Sequence, residues 1–474
     1  MKKYGPKLAK CLLFLLPYSL GAVGFSMVED KTALDALFNS LQLYTLNYGE
    51  TPPNLLIEVA RWTAPLATLS GIMALFRSLK TKLVQRLRYL RGKSVAVYGC
   101  EEDKRILLQQ LGTRGIDGGR DFVPADRYIL MGSEEENLSF YSRYREKLDG
   151  RQVYLKNDQT HVNSLAVSDL HPFRVEELAA RLFWKERFLY PQFRENGGTL
   201  ELVLLGFGNL GEDLLTFGLQ NLVYSPEQEI RWHVFGDGEK FEALHPQLDR
   251  IGDRVRFYRE PWYRDRVLLE RADLVLVVQQ EDQNNLLEAL LGVLTRREID
   301  VFTKNADAVR LLNEEGRLRV FDWKRKTQKV AYILGDELLD RAKQINLRYA
   351  HLFRQVEENE ESREREWDRL NTFTRYSNIS AADYHDVRLQ MLRAEGITPR
   401  DALADAETLD RLACLEHIRW CRYHYLNNWS YGRPDNGKSK DPVHRIHADL
   451  VPYEDLMESE KEKDRENVRV LFSI

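Results

Sequence analysis

Two long apolar stretches lie near the N-terminus of a chain in which apolar and charged residues are otherwise intermixed. Cys11–Val28 carries no charge, and Trp62–Phe76 is extended backward by apolar residues from Leu55. A helix that crosses a bilayer takes roughly 20 residues. The pattern predicts two transmembrane helices. A cleaved signal peptide is the alternative for the first stretch, but it does not explain the second.

Basic residues flank both stretches on the same side. Four lysines precede the first stretch, and a basic segment predicted as a linker at 81–92 follows the second, whereas the residues between the stretches are mostly acidic. By the positive-inside rule, both termini are expected in the cytoplasm. The chain is therefore predicted to be a multi-pass protein of the plasma (inner) membrane, with residues 1–80 as the membrane part.

The segment between the two stretches predicts a short helix followed by a turn. Apolar residues recur at helical spacing between Asp30 and Thr45, and Thr32 is placed to cap the helix with Asp35 three residues on. The order of span, short helix, T-x-x-Y-G-acid and span resembles the pore unit of two-span potassium channels. The resemblance implies an ion filter that passes K⁺ or another monovalent cation, formed by Thr45, Leu46, Asn47, Tyr48, Gly49 and Glu50.

Asn47 departs from that pattern, because it stands where the family has a glycine. Asparagine tolerates left-handed backbone geometry better than most residues, so the backbone path can be kept. Strict potassium selectivity is nevertheless in doubt. An outer loop without a pore is the alternative, and a pore would require an oligomer, for which the resemblance implies a tetramer in contact with membrane lipid.

Two segments of alternating strands and helices follow, at 93–195 and 196–345, and they repeat each other. In the second, the buried strand Leu200–Leu205 leads into Gly206, Phe207, Gly208, Asn209, Leu210 and Gly211, and a helix pattern follows. This G-x-G-x-x-G context suits a pyrophosphate at a helix N-terminus. Asp237, after the next strand, is placed to bond a ribose. NAD or a related adenine nucleotide is the predicted ligand, with an empty Rossmann lobe as the alternative.

The first segment carries Gly99 followed by Cys100–Asp103, with three carboxylates, in place of the glycines. Three negative charges would repel a pyrophosphate, so this lobe is predicted to be nucleotide-free. A divalent cation on these acids is the alternative. Together with the hairpin, the pair resembles tandem RCK domains, the regulators of potassium conductance, and the resemblance implies a cytosolic gating ring.

The C-terminal part, 375–474, follows a charged helical linker predicted at 346–374. Its pattern of LA..EH..W, W.YG and H..L.PY resembles the ryanodine-receptor (RyR) repeat. Glu416, His417, Trp420, Trp429 and Tyr431 are predicted to line an aromatic pocket for a nucleotide-like messenger, unless they form the core of the module. Cys414, His417, Cys421 and His424 share a helical stripe but span three turns, so no metal site is predicted.

The predicted fold class is a membrane α-hairpin with two spans and a pore helix, two α/β Rossmann-like RCK lobes and a small all-α RyR domain. A net charge of −4 gives no indication of nucleic-acid binding. The predicted function is a nucleotide-regulated, potassium-channel-like cation channel without catalytic residues. The alternatives are a membrane effector that forms a non-selective pore on a nucleotide signal, and a membrane-tethered NAD-dependent oxidoreductase.

Overall fold

The computed structural model describes residues 5–28, 32–47, 54–119, 121–157, 169–294, 297–313, 316–434 and 437–472. The chain divides into two units, Met1–Ser94 and Val95–Ile474. The boundary follows the basic linker that the sequence predicts at 81–92.

The N-terminal unit is helical. It consists of α1 (Gly5–Ser26), α2 (Ala33–Gln42), a 3₁₀ turn (Leu43–Thr45) and α3 (Leu55–Leu90). The predicted capping of the short helix is confirmed, because Thr32 Oγ1 accepts from the Asp35 N–H at 3.2 Å and Asp35 Oδ2 accepts from the Thr32 N–H at 3.1 Å. The three helices meet in a core of small and apolar residues: Phe25, Ala36, Leu43, Ile57, Ala60 and Ala64.

None of the helices in the described part of the chain combines the length and the apolar character that a bilayer crossing needs. The predicted membrane hairpin is therefore wrong, and so are the predictions of a multi-pass plasma-membrane protein and of a transmembrane ion channel. The helices extend beyond the apolar stretches into charged residues. Helix α1 begins before Lys7, and α3 contains the Arg61–Glu58 ion pair at 3.5 Å, so Trp62–Phe76 is only part of its 36 residues.

The described part of the predicted ion-filter loop continues the helix instead of extending away from it. Thr45 ends the 3₁₀ turn, and its Oγ1 donates to the Gln42 carbonyl at 3.0 Å. The left-handed residue is Leu46, with φ 59°, and not Asn47, whose N–H bonds the Gln42 carbonyl at 3.3 Å. The predicted filter residues Tyr48, Gly49 and Glu50 lie outside the described residues.

The second unit begins with a five-stranded parallel sheet in the order β2-β1-β3-β4-β5. Its elements are β1 (Val95–Tyr98), α4 (Glu101–Leu111), β2 (Gly115–Asp117), β3 (Arg127–Leu130), α5 (Glu134–Leu148), β4 (Gln152–Lys156) and β5 (Leu170–Phe173). Two helices then lead to the second sheet, α6 (Val175–Glu186) and α7 (Tyr190–Glu195).

The second sheet has six parallel strands in the order β11-β10-β9-β6-β7-β8. This is the doubly wound Rossmann order, with the topological switch point between β6 and β9. The two predicted parallel α/β lobes are thus present. Their elements are β6 (Thr199–Leu205), α8 (Asn209–Asn221), β7 (Glu229–Phe235), α9 (Glu239–Leu244), β8 (Arg254–Tyr258), α10 (Arg266–Arg271), β9 (Leu274–Val277), α11 (Gln283–Val293), β10 (Ile299–Thr303), α12 (Ala306–Leu311) and β11 (Leu318–Asp322).

The remainder is mainly helical, but the predicted all-α domain also holds a small sheet in the order β12-β14-β13. The elements are α13 (Trp323–Thr327), α14 (Val330–Leu334), α15 (Asp336–Arg354), α16 (Glu360–Asp368), α17 (Thr372–Glu395), α18 (Pro399–Ala404), α19 (Ala406–Leu426), β12 (Ser430–Tyr431), β13 (Lys440–Asp441), β14 (Ile446–His447) and α20 (Glu458–Phe472). Part of the predicted charged helical linker at 346–374 lies in the core, because Glu366 and Trp367 on α16 are buried.

Helices α17 and α19 pack on α8, a helix of the second α/β lobe. Tyr384 and Met391 of α17 and Leu415 of α19 share one hydrophobic core with Trp232 of β7. Burial of apolar surface is the main favourable contribution to such packing. The C-terminal helices and the second Rossmann sheet are therefore held together by a continuous core.

Candidate ligand pocket

A cavity of about 470 Å³ lies among the C-terminal helices. Its walls come from α15, α16, α17, α19, α20 and the strands β13 and β14, and it is within the size range of small-molecule sites. The lining side chains include aromatic, charged and amide groups, among them Asn346, Arg348, Tyr349, Phe353, Phe373, Glu416, His417, Trp420, His424, Lys440, His447 and Lys463.

Trp420 is the centre of an aromatic wall. On α19 it lies one turn before His424, and the two ring centroids are 3.9 Å apart. The ring of His447, on β14, stands edge-on to Trp420 at 4.9 Å. Burial lowers the pKa of both histidines, that of His447 to about 4, so both rings are neutral at pH 7. Trp420 also stacks on His417, with the ring centroids 5.6 Å apart. An aromatic wall of this kind is a stacking surface for a planar ring.

The structure brings three of the five predicted pocket residues to the cavity. Glu416, His417 and Trp420 line it, but Trp429 does not. Trp429 is buried behind the wall, where it stacks on Phe373 at 5.1 Å. Tyr431 on β12 is 54% exposed and is also absent from the lining.

Glu416 is buried at the cavity wall and is neutralised by two arginines. Arg419 lies one turn along α19 with its Nη2 2.8 Å from the Glu416 carboxylate, and the Arg388 Nη1 approaches at 3.5 Å. A buried carboxylate with two cationic partners holds its environment together instead of being free to act on a ligand. The role of Glu416 is therefore to hold Arg388 and Arg419 in place at the pocket wall.

His417 faces hydrogen-bond acceptors on both sides of its ring. Its Nε2 is 2.8 Å from the Val451 carbonyl, and its Nδ1 is 3.4 Å from the Asp464 carboxylate. Burial opposes a charge on the ring, but Cys421 and Asp464 together raise the pKa of His417 above the ordinary histidine value. The doubly protonated ring satisfies both acceptors.

Protonated His417 adds one positive charge to a lining of six basic and six acidic side chains: Arg348, Arg354, Arg369, Arg419, Lys440, Lys463, Glu366, Glu416, Asp449, Glu460, Asp464 and Glu466. Five of the six cations form ion pairs with a neighbouring carboxylate. Lys440, exposed on β13, forms no ion pair within the part of the chain that the structure describes. It is therefore the cation best placed to meet an anionic ligand.

Asn346 is a pocket residue that the sequence reasoning missed. It lies on α15 and is 4% exposed. Among the described residues, its Nδ2 has no hydrogen-bond acceptor. The predicted domain boundary at 345/346 lies within α15. It therefore divided this helix between the second Rossmann lobe and the linker, and did not assign it to the pocket that it lines. The helical spacing of Asn346, Tyr349 and Phe353 was the available signal, but it does not indicate what the helix packs against.

The glycine loop of the second sheet has the backbone that its sequence predicts. Gly206 and Gly208 have φ of 98° and 94°, and α8 starts at Asn209. A Cβ on Gly206 would lie 2.6 Å from the Gln279 backbone nitrogen, across the switch point, whereas one on Gly208 would meet nothing within 4 Å. Gly206 thus permits close packing of two loops, and Gly208 borders open space in front of the helix.

The remaining predicted cofactor residues surround that loop. Phe207 packs between Phe241 and Phe257, with ring centroids at 5.8 and 5.1 Å. A Cβ on Gly211 would lie 2.9 Å from the ring of Phe207, so this third glycine allows the helix and the loop to approach closely. Leu210 packs against the core on the sheet. Asp237 follows β7 as predicted, where its Oδ1 accepts from the Glu239 N–H at 3.1 Å and leaves Oδ2 for a ligand.

In the first sheet an internal ion pair occupies the corresponding position. Asp117 ends β2, as a ribose-binding carboxylate would, but it is 2.9 Å from the buried Nζ of Lys104 on α4. Lys104 also pairs with Glu101 at 2.8 Å, in the acidic turn where the glycines are missing. The side chains at the positions that would contact a ribose and a phosphate are thus joined to each other through Lys104.

The cysteine–histidine stripe of α19 belongs to the packing around His417. The Cys421 Sγ is 3.4 Å from the His417 Nε2, and Cys414 is buried with Tyr453 and Leu456. No group of three or more His, Cys, Asp or Glu side chains in the described ranges is arranged to hold a metal ion.

Residues 403–473 match the RyR domain family. The chain therefore contains an RyR domain, which comprises α19, the small sheet and α20, as the motif pattern indicated. The match does not extend to the two parallel sheets, and nothing supports their assignment as RCK domains or a potassium channel. Comparisons with curated proteins and with solved structures gave no significant match.

Proposed function

We propose that this chain is a nucleotide sensor that binds an adenine mononucleotide in the pocket of its RyR domain. One observation carries the proposal: the cavity combines an aromatic wall around Trp420 with a cation, Lys440, that has no ion pair among the described residues. A nucleotide needs a surface on which its base stacks and a positive charge for its phosphate.

The balance of charge in the pocket sets the class of nucleotide. Since five of the six basic side chains and the protonated His417 are already paired with carboxylates, a ligand gains only the attraction of Lys440. A triphosphate would bring several negative charges to a site that also holds six carboxylates, and like charges repel at this range. A monophosphate therefore fits the site better than a triphosphate.

The test is calorimetric titration of the full-length protein with AMP, with ATP as the comparison ligand. AMP is expected to bind more tightly than ATP. Trp420→Ala should weaken AMP binding by about tenfold or more, since stacking of a base on an aromatic ring contributes about 1–3 kcal/mol. Tyr431→Ala is the matched control, because Tyr431 is an aromatic residue of the same domain outside the cavity. Absence of AMP binding at millimolar concentration would overturn the proposal.

A second candidate function is binding of NAD at the glycine loop of the second sheet. It rests on the open space in front of Gly208 at the start of α8, beside the switch point where doubly wound folds bind dinucleotides. Backbone N–H groups and the positive end of the helix dipole would meet the pyrophosphate. Asp237 Oδ2 would accept from a ribose hydroxyl.

Gly208→Ala and Gly252→Ala form a matched pair for this second candidate. Both glycines have similar φ, 94° and 91°, and a Cβ on either would meet nothing within 4 Å. The ψ values differ, −168° for Gly208 and −29° for Gly252, so Gly208→Ala should cost more stability, and only this substitution places a methyl group towards the pyrophosphate. Loss of NAD binding by Gly208→Ala alone supports the site. Equal affinity of both variants, measured by calorimetry, contradicts it.

A further inference from the structure

Asn346 is the unexplained polar group of the pocket. Its side chain is 4% exposed, it lines the cavity, and within the described ranges its Nδ2 finds no acceptor. Native proteins rarely bury a donor in this way, because an unbonded amide loses its contacts with water and gains nothing in return. Such a group in a cavity wall indicates that something else supplies the acceptor.

The position of Asn346 in the chain is also informative. It lies on α15, outside the segment 403–473 that matches the RyR family. The aromatic wall, by contrast, lies within the match, on α19 and β14. A ligand that stacks on Trp420 and is bonded by Asn346 would be held from both sides, by the RyR domain and by the helix that precedes it.

We propose that Asn346 is the specificity-determining residue of the pocket, and that its amide turns so that Nδ2 faces the cavity and donates a hydrogen bond to a ring acceptor of a stacked purine. This inference rests on the proposed function. It adds that a ring acceptor of the ligand is recognised by a hydrogen bond, and that the donor lies on α15. A donor that must be satisfied discriminates strongly against a ligand that lacks the acceptor, because the amide is then left buried and unbonded. The binding site is thus a composite of α15 and the RyR domain.

The test uses the full-length protein, with AMP and its 1-deaza, 3-deaza and 7-deaza analogues as probes. Each analogue replaces one ring nitrogen acceptor with a C–H group. AMP is expected to bind Asn346→Leu about tenfold more weakly than the wild type. One of the three analogues should bind the wild type about tenfold more weakly than AMP does. That same analogue should bind the variant no more weakly than it binds the wild type.

Asn378→Leu is the matched control. Asn378 also lines the pocket, but its Nδ2 already donates to the Thr374 carbonyl at 3.1 Å, so this nitrogen is not left without an acceptor when no ligand is bound. Its substitution should change the AMP affinity less than twofold. Far-UV circular dichroism and thermal midpoints of both variants establish that they are folded.

The outcomes separate this inference from the proposed function. If AMP binds the wild type and Asn346→Leu equally well, the role of Asn346 is wrong while the pocket remains a nucleotide site. If all three deaza analogues bind the wild type as AMP does, no ring acceptor is read, and the inference fails in the same way. If AMP does not bind the wild type, the proposed function fails, and the inference fails with it.

Discussion

The contact between Arg422 and Asp253 predicts how strongly the RyR domain is attached to the second Rossmann sheet. Arg422 Nη2 and Nη1 donate to the two carboxylate oxygens of Asp253 at 2.6 and 3.1 Å. The Asp253 carboxylate also accepts from Trp232 Nε1 at 3.2 Å and from Gln228 Nε2 at 3.0 Å. Four donors therefore converge on one carboxylate in the interior. In Asp253→Ala, Arg422 Nη1 and Gln228 Nε2 keep their bonds to backbone carbonyls, whereas Arg422 Nη2 and Trp232 Nε1 lose their acceptor.

The magnitude follows from burial. The side chains of Arg422 and Asp253 are only 3% and 0% exposed, so the substitution would leave an uncompensated charge in the core. Breaking a buried ion pair by removing one partner costs about 3–5 kcal/mol. The free energy of unfolding of Asp253→Ala should fall by that amount. Urea denaturation followed by tryptophan fluorescence is the assay, since Trp232 bonds directly to Asp253.

Two controls isolate the cause. Arg259 and Glu239 form an ion pair of similar length, 2.9 Å, but their side chains are 75% and 76% exposed, so Glu239→Ala should leave the stability unchanged within error. The double variant Asp253→Ala with Arg422→Met should recover part of the loss, because no charge is then left buried. A loss below about 1 kcal/mol for Asp253→Ala would refute the reasoning, as it would mean that water reaches Arg422.

Three further predictions concern separate parts of the molecule. Lys440→Ala should weaken AMP binding about fivefold in calorimetry and leave adenosine binding unchanged, because only the phosphate meets the lysine. Asp237→Ala should weaken NAD binding, whereas Asp117→Ala should not, because Lys104 already occupies Asp117. Burial and Arg388 lower the pKa of His385 to about 3, so the unfolded state binds a proton that the folded state excludes, and stability falls as the pH drops below about 6.5. Between pH 7 and pH 5 the wild type should lose about 2 kcal/mol more than His385→Phe in urea titrations.

Each of these predictions has a result that contradicts it. Equal losses of AMP and adenosine affinity in Lys440→Ala would place the phosphate elsewhere. Unchanged NAD binding in Asp237→Ala would remove that carboxylate from the site. Parallel pH profiles of the wild type and His385→Phe would mean that His385 titrates alike in the folded and unfolded chains.

The Rossmann sheets could be predicted because their signals are local. Leu200–Leu205 is a continuous buried strand, and the glycines directly after it need left-handed backbone that few other residues adopt, so six consecutive positions fix the turn. Parallel pairing then follows from the alternation of strands and helices. These elements could therefore be predicted from residues that are adjacent in the sequence.

The membrane prediction failed because local hydropathy does not say where a helix begins and ends. Cys11–Val28 and Trp62–Phe76 are apolar, but α1 includes Lys7 and Lys10 before the first stretch, and α3 continues through the basic residues after the second. The T-x-x-Y-G motif misled for a related reason. The described part, Thr45–Asn47, follows a helix end, and a turn uses the same residue types as a filter.

The pocket could be predicted only in part, because its walls come from distant segments. Glu416, His417 and Trp420 lie on one face of α19, and helical spacing places them together. Trp429 and Tyr431 follow the end of that helix, where no periodicity defines a direction. Asn346 reaches the site only through the packing of α15 against α17 and α20, and this contact leaves no pattern in the sequence near residue 346.

A chain of buried hydrogen bonds joins the pocket wall to the helix that starts at the glycine loop. Arg419, which holds Glu416 at the cavity, donates to Ser380 Oγ at 3.0 Å, and Ser380 Oγ donates to Gln220 Oε1 on α8 at 3.0 Å. All four side chains are buried, so none of these bonds can be exchanged for water without cost. A ligand that displaced Glu416 or Arg419 would therefore also disturb Ser380, which donates to Gln220 on α8. If both proposed sites bind their ligands, any coupling between them along this chain must be reciprocal, so that NAD changes the affinity for AMP by the same factor as AMP changes the affinity for NAD.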